Sequence, residues 1–266
     1  MREGFAPEKI DFNVRGLSFR GIIRVCLFIL HVVTFLLSHL LITLLVPNRK
    51  LRLKIFIASN QFHCRFVLFY LGVRITQATS PSPVRGKLIV CNHLSYIDVL
   101  VLFAYYPSLF ITSKEIEKTP VLGQITKLAG CFFVERKKAL RTPETILREL
   151  EEMKLRLSEG FNVFLFPEGT SSDGQSVLPF KAHFFQLASS ANIQIQPLVI
   201  KYTGPSRQKV PWFGEMSFFP HFVTLSHEKN ISLILHELPV IDPAGRDHFD
   251  IKESAFHQIR NAYETN

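Results

Sequence analysis

Residues 86–266 read as an α/β fold, a sheet packed by helices, and residues 1–76 as a two-helix membrane-embedded motif placed ahead of it. Three observations predict this. From residue 86 onward short apolar runs alternate with longer amphipathic ones, the pattern of strands separated by helices. Residues 25–45 (VCLFILHVVTFLLSHLLITLL) carry no charge over about the ~20 residues needed to cross a bilayer core. Residues 77–85 (QATSPSPVR), polar and proline-bearing, read as the linker between the two parts.

The apolar stretch starts too far into the chain and runs too long for a cleavable signal peptide, and no small-residue cleavage site follows it. Arg15, Arg20 and Arg24 precede it and Arg49, Lys50, Arg52 and Lys54 follow it, so the positive-inside rule orients neither end. A re-entrant hairpin satisfies both flanks. Residues 51–71 then form a second, amphipathic helix, with Ile55, Phe56, Phe62, Phe66, Phe69 and Tyr70 interrupted by Asn60, Gln61 and Arg65. One spanning helix followed by a soluble one is the other arrangement these flanks allow. His31 and His39 stand inside the apolar stretch near Thr34, Ser38 and Thr43 and are read as packing or interfacial residues.

In the second part, residues 87–91 form a short apolar strand, 94–106 a helix, 109–112 a strand, and 120–128 a helix stopped by Gly130. Residues 131–134 are the next strand. Thr142-Pro143 supplies an N-cap and a first-turn proline for a helix reaching Ser158, closed by Gly160. A strand at 161–166, a helix at 181–189, strands at 193–202 and 231–238 and a helix at 251–263 complete the series. Ligands of such sheets gather at the carboxyl ends of strands, and His93, Arg136 and Glu168 each follow a predicted strand.

His93 and Asp98 carry the chemistry. A histidine takes a proton from a hydroxyl near neutral pH when its other ring nitrogen is held as the donor, and a nearby carboxylate does that. Five residues apart on one straight helix the two side chains would diverge by about 140°. His93 is therefore expected on the turn before a helix and Asp98 within its first turns, leaning back toward it. The backbone N–H groups that open this helix are the expected oxyanion donors. Ser95 lacks a nucleophile-elbow setting, and Cys91, ending an apolar strand, is expected to be buried.

The segments Asn92-His93-Leu94-Ser95-Tyr96-Ile97-Asp98 and Phe166-Pro167-Glu168-Gly169-Thr170 resemble the NHxxxxD and FPEGT signatures of the glycerolipid acyltransferase family, which includes the 1-acylglycerol-3-phosphate acyltransferases. The segments 130–136 (GCFFVER) and 195–199 (IQPLV) are similar to its second and fourth blocks, in family order. The resemblance implies a membrane-bound enzyme of bacterial type, at the inner membrane with its catalytic domain (86–266) on the cytoplasmic side. It implies O-acyl transfer from acyl-CoA or acyl carrier protein to a lysophospholipid hydroxyl, with no cofactor beyond the donor. It implies catalytic roles for His93 and Asp98, and acceptor binding by Lys114, Arg136, Glu168, Gly169 and Thr170. One departure from the family stands out. The basic residue after EGT is replaced by Ser171-Ser172-Asp173, a pattern similar to lyso-ornithine lipid acyltransferases, so lysophosphatidic acid stays the leading acceptor by a narrow margin and another lysolipid such as lyso-ornithine lipid is the alternative.

The net charge of +9, from 31 Lys and Arg against 22 Asp and Glu, suits anionic lipid headgroups; with no nucleic-acid motif and apolar residues crowded into the first third, nucleic acid is not an expected partner. Cys26, Cys64, Cys91 and Cys131 have no metal-ligand spacing and point to a reduced compartment; His183 and His221 lack partners at ligand spacing, so no metal is expected. A non-catalytic membrane lipid-binding protein is the alternative of another class, and it has no need of His93 together with Asp98.

Overall fold

The computed structural model describes residues 18–78, 85–119, 122–135 and 142–265. Helix α1 (Phe19–Leu45) opens on Ser18, whose hydroxyl accepts from the N–H of Gly21 at 3.2 Å; α2 (Arg49–Leu71) opens on Asn48, whose side chain accepts from Leu51 at 2.9 Å. Only residues 46–48 join them, so the helices fold back on each other, His39 meeting Phe56 and His31 meeting Phe66. On α1 the amphipathicity is inverted. The buried stripe of α1 is Arg24, His31, Phe35 and His39, whereas Ile29, Val33, Leu37, Leu40, Leu41 and Leu44 are exposed. On α2 the exposed residues include Phe62, Phe66 and Phe69. A continuous bare apolar face backed by polar residues fits a lipid surroundings better than water.

Seven strands form one sheet: β1 (Val73–Ala78), β2 (Leu88–Cys91), β3 (Ser108–Ser113), β4 (Phe132–Val134), β5 (Asn162–Leu165), β6 (Ile195–Thr203) and β7 (Ile231–Glu237), in the order β1-β7-β6-β2-β5-β3-β4. β6 and β7 pair antiparallel and every other neighbouring pair runs parallel. The central strands β2 and β5 are apolar runs, as strands covered on both faces must be. Around them lie α3 (Tyr96–Tyr105), α4 (Lys114–Glu117), α5 (Leu122–Leu128), α6 (Pro143–Ser158), α7 (Gln186–Ala191), α8 (Phe218–His227) and α9 (His248–Thr265). α2 packs on α3 and α1 on α8, so the hairpin is part of the same packed body as the sheet.

The fold class agrees with the sequence reading, and three details differ. α2 ends in Gly72 at φ 74°, and β1 starts one residue later, across the boundary expected at residues 76–77. The sheet thus begins inside the segment read as anchor and linker. α8 was not expected, because Pro220 and an unbroken aromatic run hide its period; the proline sits in its first turn, where a missing N–H costs nothing. The helix expected at 181–189 is a 3₁₀ turn (Ala182–Phe185) running into α7.

Candidate active site

The site forms where the carboxyl ends of β2, β5 and β6 meet α3. Asn92 extends β2 by one side chain: its Nδ2 donates to the carbonyl of Ile200 at 2.8 Å and its Oδ1 accepts from the N–H of Ile200 at 2.9 Å. That two-bond clamp on β6 fixes the turn that carries His93. Ser95 then caps α3 and Asp98 completes the capping box. Asp98, wholly buried, accepts four hydrogen bonds: at Oδ2 from Leu94 N (2.6 Å), Ser95 N (2.8 Å) and His93 Nδ1 (2.9 Å), and at Oδ1 from the Tyr202 hydroxyl (2.6 Å). The expected oxyanion donors at the start of the helix are thus not available as expected, since the N–H groups of Leu94 and Ser95 serve Asp98 instead.

His93 is held from three further sides. Its ring stacks on Phe166 at 3.8 Å and 8°, its N–H donates to Glu168 Oε1 at 2.8 Å, and its carbonyl accepts from Ser172 N at 2.9 Å. With Nδ1 donating to Asp98, Nε2 is left as the basic nitrogen, and the side chain is 16% exposed at the wall of a cavity of about 390 Å³. The cavity passes Tyr96, Trp212 and Phe166 and extends between α3 and the α1–α2 hairpin, as far as Asn60 and His63.

The EGT turn lies against this frame. Glu168 is buried, and its second oxygen accepts from Leu178 N at 3.1 Å; burial pushes its carboxyl up to about 8, against the two N–H donors, with Asp98 adding to the rise. Gly169, at φ 75°, has the Lys181 ammonium directly over the place a Cβ would take, so a side chain there would be strained by the left-handed backbone and would displace Lys181. Thr170 and Ser171 border the cavity, and the Ser171 hydroxyl bonds the carbonyl of Trp212. On the far wall His221 Nε2 faces the carbonyls of Lys209 (3.0 Å) and Pro211 (3.1 Å) and so donates, leaving Nδ1 to accept from the Tyr96 hydroxyl at 3.1 Å. Burial lowers the pKa of His221, consistent with this neutral tautomer.

Of the residues predicted from sequence, the structure brings together His93, Asp98, Glu168, Gly169 and Thr170. Lys114 opens α4 beyond β3 on the same side of the sheet, between Ser113 and Glu115, which border the cavity. Arg136 lies outside the described residues. The sequence reading missed Tyr202 and Lys181. Tyr202 was signalled by a hydroxyl among the aliphatic residues of a central strand; Lys181 follows Phe180 in sequence and comes back to the turn only through the fold. Two rival nucleophiles are removed. The Ser95 hydroxyl is wholly buried and faces Ile97 N in the cap, and burial beside Asp98 and Glu168 pushes the Cys91 thiol well above its ordinary range. No group of three or more His, Cys, Asp or Glu arranged for a metal ion occurs among the described residues.

The acyltransferase family model matches residues 73–201. The 1-acyl-sn-glycerol-3-phosphate acyltransferase of Neisseria gonorrhoeae is 30% identical over 193 residues, 71% of this chain and 74% of that protein. The lyso-ornithine lipid O-acyltransferase of Brucella abortus is 32% identical over 217 residues, 76% of this chain and 79% of that protein. The crystal structure of the 1-acyl-sn-glycerophosphate (LPA) acyltransferase PlsC from Thermotoga maritima shares the fold with a TM-score of 0.65 at 17% identity, over 92% of this chain and 93% of that one. The chain belongs to this acyltransferase family, and the expectation of an acyl-transferring enzyme is borne out.

Proposed function

We propose that this protein moves a fatty acyl group from an acyl thioester to the free hydroxyl of a lysolipid, with 1-acylglycerol-3-phosphate, giving phosphatidic acid, as the leading acceptor. The observation that carries the reading is the Asp98–His93 pair facing an apolar cavity. His93 Nε2 takes the proton of the acceptor hydroxyl, whose oxygen attacks the thioester carbonyl. Asp98 stabilises the imidazolium. The tetrahedral intermediate expels the thiolate, which takes the proton back from His93, so an ester and a free thiol are formed and the enzyme is unchanged.

Glu168 acts as a brace between the EGT turn and the His93 backbone, and Lys181, above Gly169, supplies positive charge to an anionic headgroup near Thr170. Lys114 extends that charge along the same side, and Arg136 adds to headgroup binding as the family resemblance implies. The cavity takes the donor chain: a lysolipid chain can remain solvated by the bilayer, whereas a chain leaving a water-soluble carrier needs a protein-lined path. The α1–α2 hairpin lies in the membrane with its apolar face toward the acyl tails. Arg24, which donates to the carbonyls of Ser226 (3.1 Å) and Glu228 (2.5 Å), ties the start of α1 to α8, and this supports an embedded hairpin over a simple span. The catalytic part then faces the cytoplasm of a bacterial cell, where acyl-CoA and acyl carrier protein are found.

Acylation of lyso-ornithine lipid is the second reading, supported by Ser171 in place of the family's basic residue and by the Brucella abortus relative. Purified enzyme with one long-chain acyl-CoA and a panel of lysolipids tests the proposal through thiol release and ester formation. Thiol released at full rate without any acceptor would show hydrolysis and overturn it.

A further inference from the structure

Three imidazoles lie together on the inner side of the hairpin, and two of them, His31 and His63, line the mostly apolar inner reach of the cavity. His31 and His63 meet edge to face at 4.8 Å, and His39 lies 5.7 Å from His63. His39 is tied down: Nε2 donates to Asn60 Oδ1 at 3.1 Å, Nδ1 lies 3.3 Å from the Ser38 hydroxyl, and Asn60 Nδ2 donates to the carbonyl of Ala129 at 2.9 Å. His63 is not. Its Nε2 lies 3.3 Å from the Ser38 hydroxyl, whose single proton is directed at the carbonyl of Phe35 at 2.9 Å. Ser38 therefore has only lone pairs to offer, Nε2 carries the proton, and Nδ1 is left as an acceptor. That Nδ1 is buried and has no partner among the described residues, on a side chain about nine-tenths buried in the cavity wall. His31, also in the wall, makes only ring contacts through its side chain.

We infer that this belt is a recognition site for an acyl chain bearing a hydroxyl group along its length, the hydroxyl donating to His63 Nδ1. The inference rests on the assignment of the cavity to the donor chain. With an unsubstituted chain in the cavity the buried Nδ1 keeps its lone pair unpaired in an apolar medium. A hydroxylated chain satisfies it and fills the same space. Sites built to bond a substrate hydroxyl reject the analogue that lacks it, because their own polar atoms are then left unpaired. The imidazoles also sit where an ordinary tunnel would carry leucine or phenylalanine, and an ionisable side chain inside an apolar helix has a function by default.

The test uses the full-length enzyme in detergent or vesicles, an octadecanoyl-CoA donor, and its positional series of monohydroxy isomers, each with the best acceptor. One isomer or an adjacent pair should exceed the unsubstituted donor in kcat/KM by about tenfold. In His63→Leu that ratio should fall to about one, mainly through a loss with the hydroxylated donor. If the unsubstituted donor is transferred well and every isomer is equal or worse in the unaltered enzyme, the hydroxyl site is refuted while acyl transfer stands. If no thioester is transferred to any lysolipid, the proposed function itself fails. Should His63→Leu not fold, the isomer series on the unaltered enzyme decides alone.

Discussion

Two histidine clusters share one cavity and are finished to different degrees. Around His93 the polar inventory closes: Asp98 accepts four hydrogen bonds, Tyr202 and two backbone N–H groups among them, and the ring is stacked as well as bonded. Around His63 it stays open, with Nδ1 lacking a partner. A fully satisfied network in a low dielectric is rigid, which suits a base that must meet a proton within tenths of an ångström. An unsatisfied one keeps bonding capacity for something that arrives later.

That contrast is most easily broken at His93. His93→Ala should lower kcat/KM by ~10²–10⁴-fold while the thermal midpoint changes little, since the residue sits on a turn at the cavity wall. A large drop in the midpoint would mean that the ring holds the fold rather than serving the substrate. Asp98→Asn should cost both. An amide cannot accept all four bonds, so activity should fall by orders of magnitude and stability by about 1–3 kcal/mol, read from kinetics and denaturant melts. His63→Leu sharpens the comparison from the other side: replacing an unpaired polar atom by an apolar group should leave the melting midpoint equal or raised. Lys181→Ala should raise the KM of an anionic lysolipid by about tenfold and leave the donor KM in place, a loss of ~1.4 kcal/mol from one substrate only. Equal effects on both substrates would remove Lys181 from the headgroup site.

The remaining effect, at Glu168, is read from pH rather than from activity. Its folded carboxyl, raised to about 8, lies above its unfolded value. Its contribution to stability is therefore fully present in acid and is lost as pH rises toward about 8. The melting midpoint should fall more steeply for the unaltered protein than for Glu168→Gln between about pH 5 and about pH 9. Parallel curves would mean that Glu168 is charged throughout.

Most of the catalytic half was legible in the sequence. Strand-helix alternation, the Thr142 cap with Pro143, and the five-residue spacing of His93 and Asp98 are local signals, and the Thr142 cap and the placement of Asp98 in the first turn of α3 agree with them. What could not be read depends on residues distant in the chain. Tyr202 reaches Asp98 across 104 positions, and Lys181 arrives over Gly169 through a turn with no period. β1 was hidden because an edge strand of alternating apolar and polar residues follows a helix without a visible break. His31 and His39, read from the sequence as packing or interfacial residues, both pack against α2; His63 carried no signal of its own in a helix of mixed composition.

The junction at Gly72 bears on how the enzyme stands at its surface. A single left-handed residue separates the last turn of α2 from a strand bonded into the sheet, and α1 is clasped to α8 at its other end. Such a mount has no swivel. If the hairpin lies in the membrane as proposed, Nε2 of His93 is carried at a constant height relative to the acyl tails, like a tool on a fixed gantry, and the proposed substrates must come to that height: a lysolipid by sliding within its leaflet, a thioester by rising from the water. An enzyme on a flexible tether could sweep a range of depths; this one samples a plane.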